Sequence, residues 1–182
     1  MKSLPVVMLL AISAFVQGQS AGLPSACGPE KVSFKVKLDD TQHTLAQPEP
    51  GKARVYFIDD AGTTHTLGFP TSILGIDGEW VGANHGNSYF SVFVEPGEHH
   101  LCAALQYAHV DQRVELAHLR AETGRVYYYR TRLWGEFSYT GYLELDPIDS
   151  DQAKYLIGLS PLSVSKSTVQ HAVRQSGPRD TR

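Results

Sequence analysis

Cysteine is scarce in this chain: Cys27 and Cys102 are the only two among 182 residues. Two thiols cannot build a disulfide-dense scaffold or a four-cysteine zinc site. A basic excess is also missing, with sixteen Lys and Arg against nineteen Asp and Glu, a formal net charge of −3. A nucleic-acid binder normally carries a clear basic patch, so that class is set aside. No apolar run reaches the roughly 18 residues of a membrane-spanning helix. The chain has no HExxH, HxH or CxxC spacing and no GxSxG elbow. The usual zinc and serine-hydrolase signatures are therefore absent. The glycine-bearing stretch Gly82–Gly86 (GANHG) lacks the Lys-Ser/Thr pair of a phosphate-binding loop.

What the chain has is the apolar content of a globular domain, 42% of its residues, and an export-type start. Lys2 precedes a thirteen-residue apolar stretch from Leu4 to Val16, and Val16 and Gly18 suit a cut after Gly18. This layout predicts a secretory signal peptide over residues 1–18. As a helix the stretch is about 20 Å long, short of the ~30 Å bilayer core, which argues against a membrane anchor. Lipid attachment at Cys27 is the other alternative, but Pro24 stands where a lipoprotein signal wants Leu. Without the leader the chain keeps 15 basic and 19 acidic residues. In an oxidising compartment Cys27 and Cys102 are expected to pair. The predicted organisation is a single domain over residues 19–162 and a disordered tail over 163–182, where Lys166, Arg174, Arg179 and Arg182 face only Asp180.

Strand patterns fill the mature chain. Ser33–Leu38 alternates, with Phe34, Val36 and Leu38 on one face. Ala53–Ile58 is β-branched and aromatic. Thr71–Ala83 reads as a hairpin around Asp77-Gly78, a type I′ signal. Asn84–Asn87 reads as a turn, and Ser88–Glu95 and Glu98–Tyr107 flank Pro96-Gly97. Gln112–Ala121, Arg125–Trp134 and Tyr139–Leu145 complete eight or nine short strands. Such spacing predicts an all-β antiparallel sandwich of the immunoglobulin or transthyretin kind. One short helix is expected near the C-terminus. Asp149 is its N-cap, Ala153, Leu156 and Ile157 form its apolar face, Gly158 is a left-handed cap and Pro161 blocks continuation.

Candidate chemistry is sparse. Histidines at 85, 99, 100 and 118 are the candidates for metal ligation, with Glu98 beside them. Adjacent strand residues such as His99 and His100 point to opposite faces, so a site would need partners from neighbouring strands. The acidic pairs Asp39-Asp40 and Asp59-Asp60 fall where strands end, where Asp is common for local hydrogen bonding. No catalytic residue and no cofactor are expected. The run Tyr127-Tyr128-Tyr129 must place rings on both faces of its sheet. Tyr127, Tyr129, Arg130 and Arg132 are singled out as a binding surface for a protein or glycan.

The motifs Gly51-Lys52-Ala53 with Val55-Tyr56, Asp77-Gly78, Gly86-Asn87-Ser88-Tyr89-Phe90, Pro96-Gly97-Glu98-His99 and Gly124 with Tyr127-Tyr128 and Arg130 follow one another in order. In that order, over residues 51–145, the chain resembles a bacterial exported domain-of-unknown-function family. That family is similar to small surface β-sandwich modules of the PEGA type. The resemblance implies fold and export, and carries no reaction. The expected function is a non-enzymatic envelope or secreted module in contact with an envelope protein or a glycan, periplasmic or extracellular, with no transmembrane span once matured. The alternatives are a histidine-based metal- or small-ligand-binding protein and a hydrolase.

Overall fold

A computed structural model of the chain describes residues 23–42, 45–61, 70–106, 114–134 and 142–168. The expected leader over 1–18 and everything beyond residue 168 lie outside the described residues. Among the described residues ten strands and one helix follow in order: β1 (Phe34–Asp39), β2 (Ala53–Asp59), β3 (Thr71–Ile76), β4 (Glu79–His85), β5 (Tyr89–Val94), β6 (Gly97–Leu105), β7 (Val114–Ala121), β8 (Val126–Trp134), β9 (Tyr142–Pro147), α1 (Ser150–Leu159) and β10 (Leu162–Ser167). They form a six-stranded sheet, β1-β10-β5-β2-β8-β9, and a four-stranded sheet, β4-β3-β6-β7. The expected all-β sandwich with one short C-terminal helix is what forms. Most pairings are antiparallel, but β2 runs parallel to β8, and β10 touches β5 in parallel at Leu162 and Tyr89.

Alternation sorts the side chains. Val55 and Phe57 of β2 enter the core between the sheets with Leu74, Leu101, Ala103, Leu119, Leu133 and Leu143. Tyr56 and Ile58 point the other way, where Ala153 and Ile157 of α1 cover them together with Leu45 and Tyr128. A central strand buried on both faces reads as an unbroken apolar run, which is why ARVYFI looks so uniform. Asp149 caps α1 as expected, its Oδ1 accepting the Asp151 and Gln152 N–H groups at 2.8 and 2.9 Å.

The four-stranded sheet is also covered on its outer face. Residues 23–33 lie over it, and Cys27 is bonded to Cys102, Cα atoms 5.2 Å apart. Trp80 donates to the Pro29 carbonyl at 2.9 Å, and Gly78 donates to the Ala26 carbonyl at 3.1 Å. A Cβ on Gly28 would collide with the Trp80 indole, so glycine is required for the strap to seat. Asp77 and Gly78 both have positive φ, 51° and 92°, as the tight hairpin between β3 and β4 demands.

Three expectations need correction. Residues 163–167 are not a loose tail: they form β10, paired with β1 along its whole length. Its serines replace an apolar pattern with hydrogen bonds. Ser163 Oγ donates to the Ala83 carbonyl at 2.6 Å, and Ser165 Oγ accepts the Ala83 N–H at 3.1 Å. Those two hydroxyls satisfy the outer edge of β4, a job polar residues do better than apolar ones. Gly158 lies inside α1 and is not a left-handed cap, because Ser160 turns extended and donates to the Ile157 carbonyl at 3.3 Å. Asn84 and His85 belong to β4 and not to a turn. Asn84 is fully buried and donates to the Phe57 carbonyl at 3.2 Å, so the chain reverses only at Gly86, φ 63°.

Candidate functional site

Strand parity decides the surface read from β8. Tyr127 and Tyr129 face the core, and Tyr128, Arg130, Arg132 and Trp134 face outward. Tyr129 is buried and donates its hydroxyl to the His118 carbonyl at 2.7 Å. Tyr127 is half-buried against the same core, its hydroxyl accepting the Glu122 N–H at 3.0 Å. Tyr127, Tyr129, Arg130 and Arg132 therefore do not make one surface. A period of two separates the odd-numbered rings from the even-numbered guanidinium groups. Tyr128 is outward but lies under α1, stacked on Tyr56 with ring centroids 5.5 Å apart.

Past α1 the outer face of β8 and β9 carries a linked set of side chains. Arg132 Nη2 donates to Asp60 Oδ2 at 2.6 Å, and Arg130 Nη1 stands 4.0 Å from the same oxygen. The Arg132 guanidinium lies 4.9 Å from the centre of the Trp134 ring. Trp134 Nε1 donates to Glu144 Oε2 at 2.6 Å. Tyr142 is the cross-strand partner of Trp134, with centroids 6.5 Å apart and ring planes 25° from parallel. The two rings remain 41% and 56% exposed. The set joins two aromatic rings to donors and acceptors already fixed by one another. Sequence reading found the arginines but missed Asp60, Trp134, Tyr142 and Glu144 as their company. The signal was available: Arg132 and Trp134 share parity on one strand, and their neighbours on β9 follow from antiparallel register.

The histidines part company. His85 meets Thr71 Oγ1 at 3.0 Å across the edge pair of the smaller sheet. His99 and His100 approach Asp77 at the other end of β4, and His118 lies beside His100. His99 Nδ1 is 2.6 Å from Asp77 Oδ2 and its Nε2 is 2.7 Å from the Glu95 carbonyl. A carbonyl and a carboxylate both accept, so this pair of contacts favours the doubly protonated ring. Burial alone would lower its pKa, but the hydrogen bonds to Asp77 and Glu95 and the charges of Asp77 and Glu98 raise it. Asp77 goes the other way: against the upward push of burial, the His100 N–H, the His99 ring and both their charges pull it down. His100 places its ring 4.3 Å from that of its cross-strand neighbour His118. Glu98 reaches Arg120 instead, at 3.6 Å. Among the described residues no three His, Cys, Asp or Glu side chains are placed to hold a metal ion.

The acidic pairs do not bracket a cleft. Asp39 accepts from Thr41 and Gln42, local turn bonds. Asp60 points outward to the arginines, whereas Asp59 is 3% exposed and receives Ser72 Oγ at 2.8 Å. Burial pushes the Asp59 carboxyl up to about 7; the Ser72 hydrogen bond lowers it somewhat, and the Asp60 charge raises it. Neighbours on a strand that face opposite sides cannot act on one bond together. Among the described residues no helix is long and apolar enough to cross a membrane. Comparison with protein-family models, curated proteins and solved structures returns no match for this chain.

Proposed function

We propose that this chain is a non-enzymatic exported module that works by contact with an envelope protein or a glycan, and that the contact is made at the open end of β8 and β9. Export through a cleaved leader, and membership of the exported family whose motif order the chain resembles, are part of this proposal. The Cys27–Cys102 bond supports an oxidising compartment, since cytosolic thiols are kept reduced.

One observation carries the binding reading. Residues 23–33 cover the outer face of the smaller sheet, and α1 with residues 45 and 46 covers part of the larger one. Trp134 and Tyr142 are left open beside Arg132, Asp60 and Glu144. Exposed aromatic rings with satisfied polar neighbours are the composition of recognition surfaces. Trp134, Glu144, Arg132 and Asp60 are already held by hydrogen bonds, so binding would freeze little further motion in them.

Immobilised mature protein, incubated with the envelope and secreted fractions of its host, tests this. A retained component that Trp134→Ala and Arg132→Ala lose, and that Tyr155→Ala on the exposed side of α1 keeps, is the expected result. Equal capture by all four proteins, or none, overturns the reading.

A further inference from the structure

We propose that the Trp134–Tyr142 strip stacks the ring faces of a neutral β-1,4-linked glycan, with Arg132, Glu144 and Asp60 meeting its hydroxyls. This rests on the reading above and narrows it to one ligand class.

A pyranose ring in a β-linked chain has two unlike parts. Its axial C–H groups make a flat apolar face, and its equatorial hydroxyls ring the edge with donors and acceptors. A matching surface needs an aromatic plane and, at its rim, both donors and acceptors. Trp134 and Tyr142 supply two planes only 25° apart, centroids separated by 6.5 Å. An extended glycan ribbon presents successive ring faces in one direction, which suits two neighbouring rings of nearly common orientation.

The rim has both senses of hydrogen bonding. Arg132 brings N–H donors, and Glu144 and Asp60 bring carboxylate acceptors. Each is also fixed: Glu144 holds the indole N–H at 2.6 Å, and Asp60 holds Arg132 at 2.6 Å. Such tethering keeps rotamers in place before the ligand arrives.

Charge selects against an anionic polymer. Two guanidinium groups, Arg130 and Arg132, share this end of the face with three carboxylates, Asp60, Glu144 and Asp146. Asp60 already occupies both arginines, so a uronate or sulfate would bring negative charge to a face whose cations are paired and outnumbered by carboxylates. An uncharged sugar meets neither penalty.

Titration calorimetry with cellohexaose and chitohexaose tests the proposal, with polygalacturonate as the anionic comparison. Saturable binding of at least one neutral hexaose is expected. It should weaken tenfold or more in Trp134→Ala and in Tyr142→Ala, recover in Trp134→Phe, and stay unchanged in Tyr155→Ala. Thermal melting of each variant guards against a folding defect, and Tyr142→Ala serves if Trp134→Ala does not fold. Binding of neither hexaose, binding that survives loss of both rings, or preference for polygalacturonate overturns the proposal. A protein captured from the envelope in a Trp134-dependent way, with neither hexaose bound, overturns the glycan assignment alone. No Trp134-dependent capture of any kind overturns the binding surface with it.

Discussion

Among the described residues Asp59 is the one whose environment departs furthest from its solution chemistry. Its carboxyl is buried at the end of β2 with Ser72 donating to it, and its pKa stands at about 7. The unfolded chain loses this proton near pH 4 and the folded chain near pH 7. Between those values the unfolded state binds fewer protons, so stability falls as pH rises. The contribution is full below about pH 4 and gone above about pH 7, and is worth at most about 4 kcal/mol by linkage. Asp59→Asn imitates the protonated form. Urea unfolding from pH 4 to 8 should show a shallower decline in that variant and a gain over the parent at pH 8. Parallel curves for the two proteins would contradict this. His99 adds a smaller slope of the same sign, since its raised pKa means its pairing with Asp77 weakens as pH climbs through that value. Neither feature was legible in the sequence. Asp59 reads as a strand-end residue and Asp77 as a turn residue, because burial and partner are properties of the fold.

At the level of elements, hydrophobic periodicity found every strand that uses apolar residues. It missed β10, because LSVSKS holds its place through serine hydroxyls and pairing with β1. A related substitution of side chain for strand occurs at Gln106. Its Oε1 accepts the Phe34 N–H at 2.6 Å and its Nε2 donates to the Phe34 carbonyl at 3.2 Å. One amide thus imitates a strand neighbour and ties the start of β1 to the end of β6. Gln106→Leu keeps the bulk but leaves two buried backbone groups unpaired. It should cost about 2–4 kcal/mol, read as a lowered denaturation midpoint with an unchanged slope. A loss below about 0.5 kcal/mol would mean that water or another group takes over both bonds. The type I′ hairpin at Asp77-Gly78 and the cap at Asp149 were fully legible, since each depends on a few local residues. The surface on β8 was half legible. Arg132 was found, but its company was assigned by adjacency in sequence, and parity places Tyr127 and Tyr129 on the other side.

For the whole molecule, the two cysteines do more than their number suggests. Their bond closes a loop with a sequence separation of 75, worth about 4 kcal/mol in the chain-entropy model, and fixes the strap over the smaller sheet. With that face covered, and α1 over part of the larger sheet, the proposed contact falls to the end where Trp134 and Tyr142 stand exposed. Disulfide and strands were both foreseeable; the strap was not, because SACGPE carries no periodic pattern and its place is set by Trp80 and Cys102. Hydrogen exchange of the mature protein, alone and with its captured partner or glycan, tests this arrangement most directly. Protection on binding should be confined to residues 130–134 and 142–146, with residues 23–33 and 150–159 unchanged. Protection centred on the strap or on α1, with the β8–β9 end unaffected, would contradict it.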